Sequence, residues 1–186
     1  YLTPSLMINK KNIPNIITIF RGIFTLVIII LFLIDAEKYM SIILAFFIIA
    51  SISDFLDGYL ARKWNVVSDF GKTADPLLDK VLVFSLLVLI FQYNIVPQLF
   101  IMILILRDLT IDSVRSAVIA KGGTMPAISS AKWKTTFQML MIIFVLLYLI
   151  YPQQWISYLA IGTGTLAVIL SLTSGYAYIQ TFRTQK

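Results

Sequence analysis

Apolar residues fill the chain in six long runs that short polar stretches separate. A membrane hydrocarbon core about 30 Å thick requires roughly 20 apolar residues in a helix, and each run approaches that length. Backbone amides in lipid must pair within their own segment, so each run is predicted to be helical. The predicted membrane spans are 14–34, 40–61, 75–92, 97–120, 132–151 and 155–180.

The connections between these runs are short, which favours antiparallel neighbours in a compact bundle. The pattern therefore predicts an all-α, polytopic membrane protein with six transmembrane helices in one bundle. The predicted connections are Asp35–Tyr39, Arg62–Ala74, Tyr93–Val96, Lys121–Ala131 and Pro152–Gln154.

Basic residues are distributed unevenly between the two sides of the predicted bundle. The first, third and fifth connections share only Lys38. The opposite side carries Lys10, Lys11 and Arg21 at the N-terminal flank, Arg62, Lys63 and Lys72 in the second connection, Lys121, Lys132 and Lys134 in and just after the fourth, and Arg183 and Lys186 at the C-terminus. Lys and Arg are retained on the cytoplasmic side of membrane proteins. Both termini and the even-numbered connections are therefore predicted to face the cytoplasm.

Composition agrees with a membrane location and limits the possible chemistry. The 186 residues suit one domain, 59% are hydrophobic and 13% are charged, against roughly 25% charged residues in soluble domains. His and Cys are both absent, which excludes disulfides, thiolate nucleophiles, imidazole bases and Cys/His zinc sites. Reactive groups must then be carboxylates, Lys, Arg, hydroxyls or a hard cation, and no nucleic-acid partner is expected.

The N-terminal region is predicted to be a flank of residues 1–13 ahead of one domain at 14–186. Residues 1–6 precede Met7, which is a candidate natural start. The stretch Asn9–Pro14 is a candidate interfacial helix, and no cleavable signal peptide is predicted.

Four small or acidic residues share one face at the end of the second predicted span. Asp54, Asp57, Gly58 and Ala61 follow the spacing i, i+3, i+4 and i+7, which places them on one side of a helix. An ionisable residue in a span is expensive and is a functional candidate by default.

A second acidic face follows at the start of the third predicted span. Gly71, Asp75 and Asp79 are four residues apart, so they share a face if that helix extends back to Gly71. Two antiparallel helices can bring the four carboxylates together, and such an all-oxygen site selects Mg²⁺, Mn²⁺ or Ca²⁺. The alternative is that neighbouring lysines and arginines neutralise the acids and that the small residues serve helix packing.

The combined pattern D-x-x-D-G-x-x-A-R-x8-G-x-x-x-D-x-x-x-D resembles the signature of the CDP-alcohol phosphotransferase family. That resemblance implies displacement of CMP from a CDP-linked donor by an alcohol. It implies two divalent cations, Mg²⁺ or Mn²⁺, and a catalytic base at Asp79. The implied metal ligands are Asp54, Asp57, Asp75 and Asp79, and the implied residues for the cytidine diphosphate are Gly58, Ala61, Arg62 and Gly71.

Cationic side chains gather in a second region, from Arg107 to Gln138. Arg107 opens a stripe in which Asp108, Asp112 and Arg115 follow at i, i+4 and i+7. These cations suit an acceptor that itself carries a phosphate, or they bind anionic lipid head groups as cytoplasmic basic residues do. The candidate acceptor-phosphate residues are Arg107, Arg115, Lys132 and Lys134.

This region, with the run Asn12–Arg21, resembles the bacterial phosphatidylglycerophosphate synthases within that family. The resemblance implies CDP-diacylglycerol as donor, sn-glycerol 3-phosphate as acceptor, a homodimer, contact with membrane lipid, and a bacterial cell membrane location with a cytoplasm-facing site. Asp108 and Ala131 depart from the pattern, where Glu and Gly are expected.

Other functions fit parts of the same sequence. A family member could use inositol phosphate, phosphatidylglycerol or serine as acceptor, and the cationic residues favour a phosphorylated acceptor over serine. A cation-coupled transporter would also carry acids in its spans, but such proteins show repeats and broken helices near the bilayer centre. A structural membrane subunit would have little use for four converging carboxylates.

Overall fold

The structure, a computed structural model, describes the backbone of residues 13–64, 69–120, 122 and 129–184. Side chains are described for residues 19–53, 78, 80–120, 122 and 129–180. Every element in these ranges is an α-helix, which confirms the predicted all-α class. The helices are α1 (Ile13–Trp64), α2 (Asp69–Phe91), α3 (Gln98–Ala120), α4 (Ser129–Ile150) and α5 (Gln154–Thr184).

Several of these helices have the length and apolar composition of membrane spans. Within the described residues, three segments are long and apolar enough to cross a bilayer: Ile19–Ser53, Ser129–Ile150 and Gln154–Gln180. Large apolar side chains also point outward from them, and Leu172 is 55% exposed. Outward apolar surface of this kind suits lipid rather than water, so the chain is an all-helical membrane protein.

Helix α1 is interrupted at Asp35, where the backbone is extended (φ −166°, ψ 92°). The Asp35 side chain caps the stretch that follows, because its Oδ1 accepts a hydrogen bond from the Lys38 backbone N–H at 3.0 Å. The predicted connection Asp35–Tyr39 was therefore too long, because one capping residue is enough to break the helix.

The chain reverses direction at this break. The rings of Phe24 and Phe46 stack with their centroids 5.3 Å apart. In an uninterrupted helix, residues that far apart in sequence would be separated by about 33 Å. The first arm of α1 (residues 13–34) and its second arm (residues 36–64) therefore pack side by side as a helical hairpin.

Two other helices begin earlier than the apolar runs predicted. Helix α2 starts at Asp69 rather than residue 75, and α4 starts at Ser129 rather than residue 132. Polar residues such as Asp69, Lys72 and Ser129 interrupt these added stretches, so a search for apolar runs did not include them. The predicted connections Arg62–Ala74 and Lys121–Ala131 were accordingly too long.

The chain forms two compact units, Tyr1–Ser85 and Leu86–Lys186. In the first unit, a close approach joins the first arm of α1 to α2: a Cβ atom on Gly22 would lie 3.4 Å from Leu78 Cδ2. The predicted division into a flank at 1–13 and a domain at 14–186 stays a prediction, since residues 1–12 lie outside the described part.

In the second unit, α5 packs against both α3 and α4. Leu104 of α3, Met141 of α4 and Ala160 of α5 are each 0% exposed. Small residues on α5 permit this contact, because in membranes small side chains let helix backbones approach closely.

Two glycines of α5 provide a matched test of that packing. A Cβ atom on Gly164 would lie 2.9 Å from Met141 Sδ and 3.2 Å from Phe100 Cδ2, whereas one on Gly162 would meet nothing within 4 Å. Gly164→Val should lower the free energy of unfolding by about 1–3 kcal/mol through overpacking. Gly162→Val should cost less than about 0.5 kcal/mol. Thermal unfolding in detergent measures both, and equal losses would contradict the packing described.

Candidate functional site

The acidic pattern lies on two helices of the first unit. Asp54, Asp57, Gly58, Ala61 and Arg62 fall in the second arm of α1. Their helical backbone provides the shared face that the spacing predicted. Their side chains lie outside the described residues, so the metal and donor-binding roles stay predictions.

Helix α2 carries the rest of the pattern. Its start at Asp69 means that Gly71, Asp75 and Asp79 lie on one continuous helix, as the prediction required. Their side chains also lie outside the described residues. The Leu78 side chain is described, and it packs against Gly22 of α1.

Arg21 is the fully buried cation of this first unit. Its side chain is 0% exposed, and Thr25, one turn later, is 2% exposed. The sequence prediction counted Arg21 among the basic residues of the N-terminal flank, and this was wrong, because Arg21 lies within α1. A buried guanidinium in a membrane helix requires polar partners and marks a functional candidate.

A bridged ion pair links α3 to α4 in the second unit. Arg107 Nη1 donates to Asp108 Oδ1 at 3.0 Å, and Lys134 Nζ donates to the other carboxylate oxygen, Oδ2. The side chains of Arg107, Asp108 and Lys134 are only 13%, 18% and 3% exposed. Buried charges are tolerated when they are paired. Asp108 forms an ion pair with each of the two cations, through a different carboxylate oxygen.

Arg107 also crosses to α5. Its Nε donates to the Ser171 carbonyl oxygen at 3.3 Å, and its Nη2 donates to Ser174 Oγ at 2.6 Å. The Ser174 hydroxyl in turn donates to the Leu170 carbonyl oxygen at 2.6 Å. Gly175 allows this approach, since a Cβ atom there would lie 3.6 Å from Arg107 Cγ.

Arg115 reaches the same helix two turns further along α3. Its Nη2 donates to the Tyr178 hydroxyl at 3.2 Å. The Arg115 guanidinium lies over the Tyr178 ring at 5.6 Å from its centroid, and the Arg107 guanidinium lies over the same ring at 5.8 Å. We call these residues the polar cluster: Arg107, Asp108, Arg115, Lys134, Ser174 and Tyr178.

Several buried polar atoms in and beside the polar cluster have no hydrogen-bond partner. Among the described side chains of the second unit, these are Gln138 Nε2 and Oε1, Ser171 Oγ and Arg115 Nε. Gln138 is 1% exposed and Ser171 is 0% exposed. A buried polar atom without a partner costs about 1–3 kcal/mol, so a bound polar molecule at this place would relieve a penalty.

The polar cluster carries an excess of positive charge. Asp108 pairs with Arg107 and Lys134, and Asp112 follows one turn later on α3, so the three cations and two carboxylates leave a formal excess of one positive charge. A cavity of about 300 Å³ between α3 and α5 borders Arg107, but its other lining residues are mostly apolar and include none of the other cations. The cavity therefore does not by itself mark an anion site. Arg side chains bind phosphate oxygens through paired N–H donors.

The structure brings together three of the four predicted acceptor-phosphate residues. Arg107, Arg115 and Lys134 are linked through Asp108 and Tyr178. Lys132 lies apart from them, because its side chain is exposed and points about 200° around α4 from Lys134.

Three α5 residues at this place were missed from the sequence: Ser174 and Tyr178 contact the arginines through their side chains, and Ser171 does so through its backbone carbonyl. Ser171, Ser174 and Tyr178 lie at i, i+3 and i+7 on α5, which is one helical face. That spacing of hydroxyl groups within an apolar helix was the available signal. Gln138 was predicted only as the end of the cationic region and was given no role. The structure shows that it is buried one turn from Lys134 on α4.

Comparison with known proteins decides the family. The model of the family described as CDP-alcohol phosphatidyltransferase matches residues 11–169. The chain belongs to the CDP-alcohol phosphatidyltransferase family. This membership confirms the resemblance inferred from the acidic pattern and makes the chain a membrane enzyme rather than a transporter or a structural subunit.

Curated relatives within the CDP-alcohol phosphatidyltransferase family are similar over most of their length. A protein of Mycoplasma pneumoniae is 39% identical over 153 residues, covering 72% of this chain and 67% of the relative. A protein of Rickettsia typhi is 34% identical over 179 residues, covering 94% and 98%. A protein of Haemophilus influenzae is 39% identical over 138 residues, covering 70% and 73%. Each is named CDP-diacylglycerol–glycerol-3-phosphate 3-phosphatidyltransferase.

Proposed function

We propose that this chain transfers the phosphatidyl group of CDP-diacylglycerol to sn-glycerol 3-phosphate, which releases CMP and forms phosphatidylglycerophosphate. The observation that carries the proposal is the similarity, over 94% of the chain, to a relative named for this reaction. A hydroxyl oxygen of the acceptor attacks the phosphorus that bears the diacylglycerol. The bond from that phosphorus to the CMP oxygen breaks, and CMP leaves.

The polar cluster supports a phosphorylated acceptor. Arg107, Arg115 and Lys134 are buried or half-buried, and the polar cluster has a formal excess of positive charge. A phosphate monoester suits such donors, since charge-assisted hydrogen bonds to it are strong. An acceptor without a phosphate, such as serine, would offer these donors less negative charge. Lys132 remains a proposed residue for the acceptor's phosphate, as an exposed cation of α4 that the phosphate meets before it reaches the polar cluster.

Asp54, Asp57, Asp75 and Asp79 are the proposed ligands of two divalent cations, Mg²⁺ or Mn²⁺. The donor set fits such ions, since it consists of carboxylates on two helices in a chain without His or Cys. Bound there, the cations would supply charge neutralisation at the diphosphate. Asp79 is the proposed base that takes the proton of the acceptor hydroxyl. With no His or Cys available, direct displacement is favoured over a covalent intermediate.

The donor's cytidine diphosphate is proposed to bind along the small-residue faces of the same two helices. Gly58, Ala61 and Gly71 present little side chain, so a bulky ligand can approach the backbone closely. Arg62 is the proposed cationic partner of the diphosphate.

Six spans remain the proposed membrane topology, with both termini and the site on the cytoplasmic side. The apolar segment Ile19–Ser53 has 35 residues, which is far longer than the roughly 20 that one crossing needs. Its reversal at Asp35 supports two crossings, and α2 to α5 would supply four more. The distribution of Lys and Arg supports the orientation.

Two further features are proposed from the family resemblance. The chain is proposed to act as a homodimer in a bacterial cell membrane. It is also proposed to hold the donor's acyl chains against its apolar helix surfaces, in contact with membrane lipid.

The test of the proposed function is an acceptor panel. Purified protein receives CDP-diacylglycerol and Mg²⁺ with sn-glycerol 3-phosphate, inositol phosphate, phosphatidylglycerol or serine, and CMP release is measured. We expect release only with sn-glycerol 3-phosphate. Release with inositol phosphate alone would keep the reaction class and overturn the acceptor. No release with any acceptor, from folded and cation-loaded protein, would overturn the proposal.

A further inference from the structure

Tyr178 lies in contact with two arginine side chains of α3. Both guanidinium groups lie over its ring, at 5.8 Å for Arg107 and 5.6 Å for Arg115. Tyr178 itself is 1% exposed, and its hydroxyl accepts the hydrogen bond from Arg115. One buried aromatic residue therefore contacts both arginines of the polar cluster through its ring.

Two like charges held this close repel each other unless their surroundings compensate. The face of an aromatic ring is electron-rich and attracts cations within about 6 Å. Tyr178 thus provides attraction for both guanidinium groups without neutralising either of them. A carboxylate at the same position would hold them equally well but would cancel the charge that an anion needs.

The two arginines are anchored to different extents. Arg107 donates hydrogen bonds from Nε, Nη1 and Nη2, to Ser171, Asp108 and Ser174 respectively. Arg115 Nε is buried without a hydrogen-bond partner, and the Tyr178 hydroxyl accepts from Nη2. The orientation of Arg115 therefore depends on Tyr178 more than that of Arg107 does.

We propose that Tyr178 is a positioning residue for the acceptor's phosphate, which holds Arg115 beside Arg107 so that one phosphate monoester can engage both guanidinium groups. The inference rests on the proposed function and deepens it. Tyr178 acts through the two arginines, takes no part in the bond changes, and sets acceptor affinity rather than the rate of the transfer step.

Two substitutions separate the ring from the hydroxyl. Tyr178→Phe keeps the ring and removes the acceptor of the Arg115 hydrogen bond, so KM for sn-glycerol 3-phosphate should rise about threefold. Tyr178→Leu removes the ring as well, and that KM should rise about tenfold or more. In both variants kcat and KM for CDP-diacylglycerol should stay within about twofold of wild type. The inhibition constant of inorganic phosphate should rise in parallel with the acceptor KM.

Tyr158→Phe is the matched control on the same helix. Tyr158 is 64% exposed and does not line the cavity beside Arg107, so the KM of this variant for the acceptor should equal that of the wild-type protein. Should the Leu variant fail to fold, the Phe variant still decides the question. The inference is overturned if Tyr178→Phe leaves both the acceptor KM and phosphate inhibition unchanged, or if both substrates' KM values rise equally. Absence of acceptor-dependent CMP release in the wild type would instead overturn the proposed function.

Discussion

Asp79→Asn should abolish most CMP release while leaving the protein folded. The substituted amide has nearly the same shape as the carboxylate, but it cannot accept the hydroxyl proton and carries no charge for a cation. Loss of a general base alone lowers rates by about 10²–10⁴-fold, and loss of a metal ligand adds to that. Steady-state CMP release from CDP-diacylglycerol and sn-glycerol 3-phosphate, with thermal unfolding alongside, measures the effect.

Asp69→Asn is the control for that variant. Asp69 is the first residue of α2, so it lies on the same helix but outside the acidic pattern. We expect activity within about twofold of wild type, as for most substitutions away from a site. If Asp79→Asn retained comparable activity, the base would have to be assigned elsewhere. If Asp69→Asn lost as much, the loss in Asp79→Asn would reflect helix α2 as a whole.

Lys134→Met should have the second largest effect, on both stability and acceptor use. The substitution keeps a long side chain but removes one of the two ion pairs that Asp108 makes among the described residues, and only the pair with Arg107 remains. Removing one partner of a buried pair costs about 3–5 kcal/mol. In a chain of this size that corresponds to a melting temperature lower by about 6–20 °C. Loss of a charged hydrogen bond to phosphate should raise KM for sn-glycerol 3-phosphate about 10–100-fold.

Lys132→Met supplies the stability control two residues away. It removes the same charge from the same helix, but the Lys132 side chain is exposed. Exposed charges contribute about 0–1 kcal/mol, so the melting temperature should change by no more than a few degrees. A fall in the melting temperature of Lys134→Met without any change in acceptor KM would show that Lys134 supports the fold alone.

The helices could be predicted from sequence because lipid imposes a simple rule on apolar runs. The four runs predicted as spans three to six coincide with helices α2 to α5 to within a few residues, except at the start of α2 (Asp69) and the end of α5 (Thr184). The break at Asp35 was predicted as a five-residue connection, because sequence alone does not show that one Asp both stops a helix and caps the next.

The polar cluster could be predicted only in part. Arg107, Arg115 and Lys134 were predicted because clustered cations suit a phosphorylated acceptor and because the region resembles the bacterial phosphatidylglycerophosphate synthases. Asp108 and Tyr178 link these three cations through contacts between residues more than 20 positions apart. The periodicity of a sequence does not predict contacts of this kind. Lys132 was grouped with Lys134 by proximity in sequence, although two positions on a helix face different directions.

Arg21 was not predicted as a candidate site residue, although it is a charged residue within an apolar run. The residue lies inside the predicted span 14–34, yet it was counted as a basic flank that sets orientation. Its complete burial follows the same rule that marked the acidic residues as candidates, namely that a charge within a span is expensive and has a structural or catalytic purpose. Applied evenly, the rule would have predicted Arg21 as a candidate site residue.

The most direct test of the central claim is the fate of labelled sn-glycerol 3-phosphate. Purified protein in mixed micelles with CDP-diacylglycerol and Mg²⁺ should move the label into the lipid phase, with one CMP released for each labelled lipid formed. The label should stay in the aqueous phase when a chelator removes the cation. CMP release without labelled lipid would mean that water is the acceptor, and lipid labelling that persists in the chelator would contradict the proposed divalent cation site.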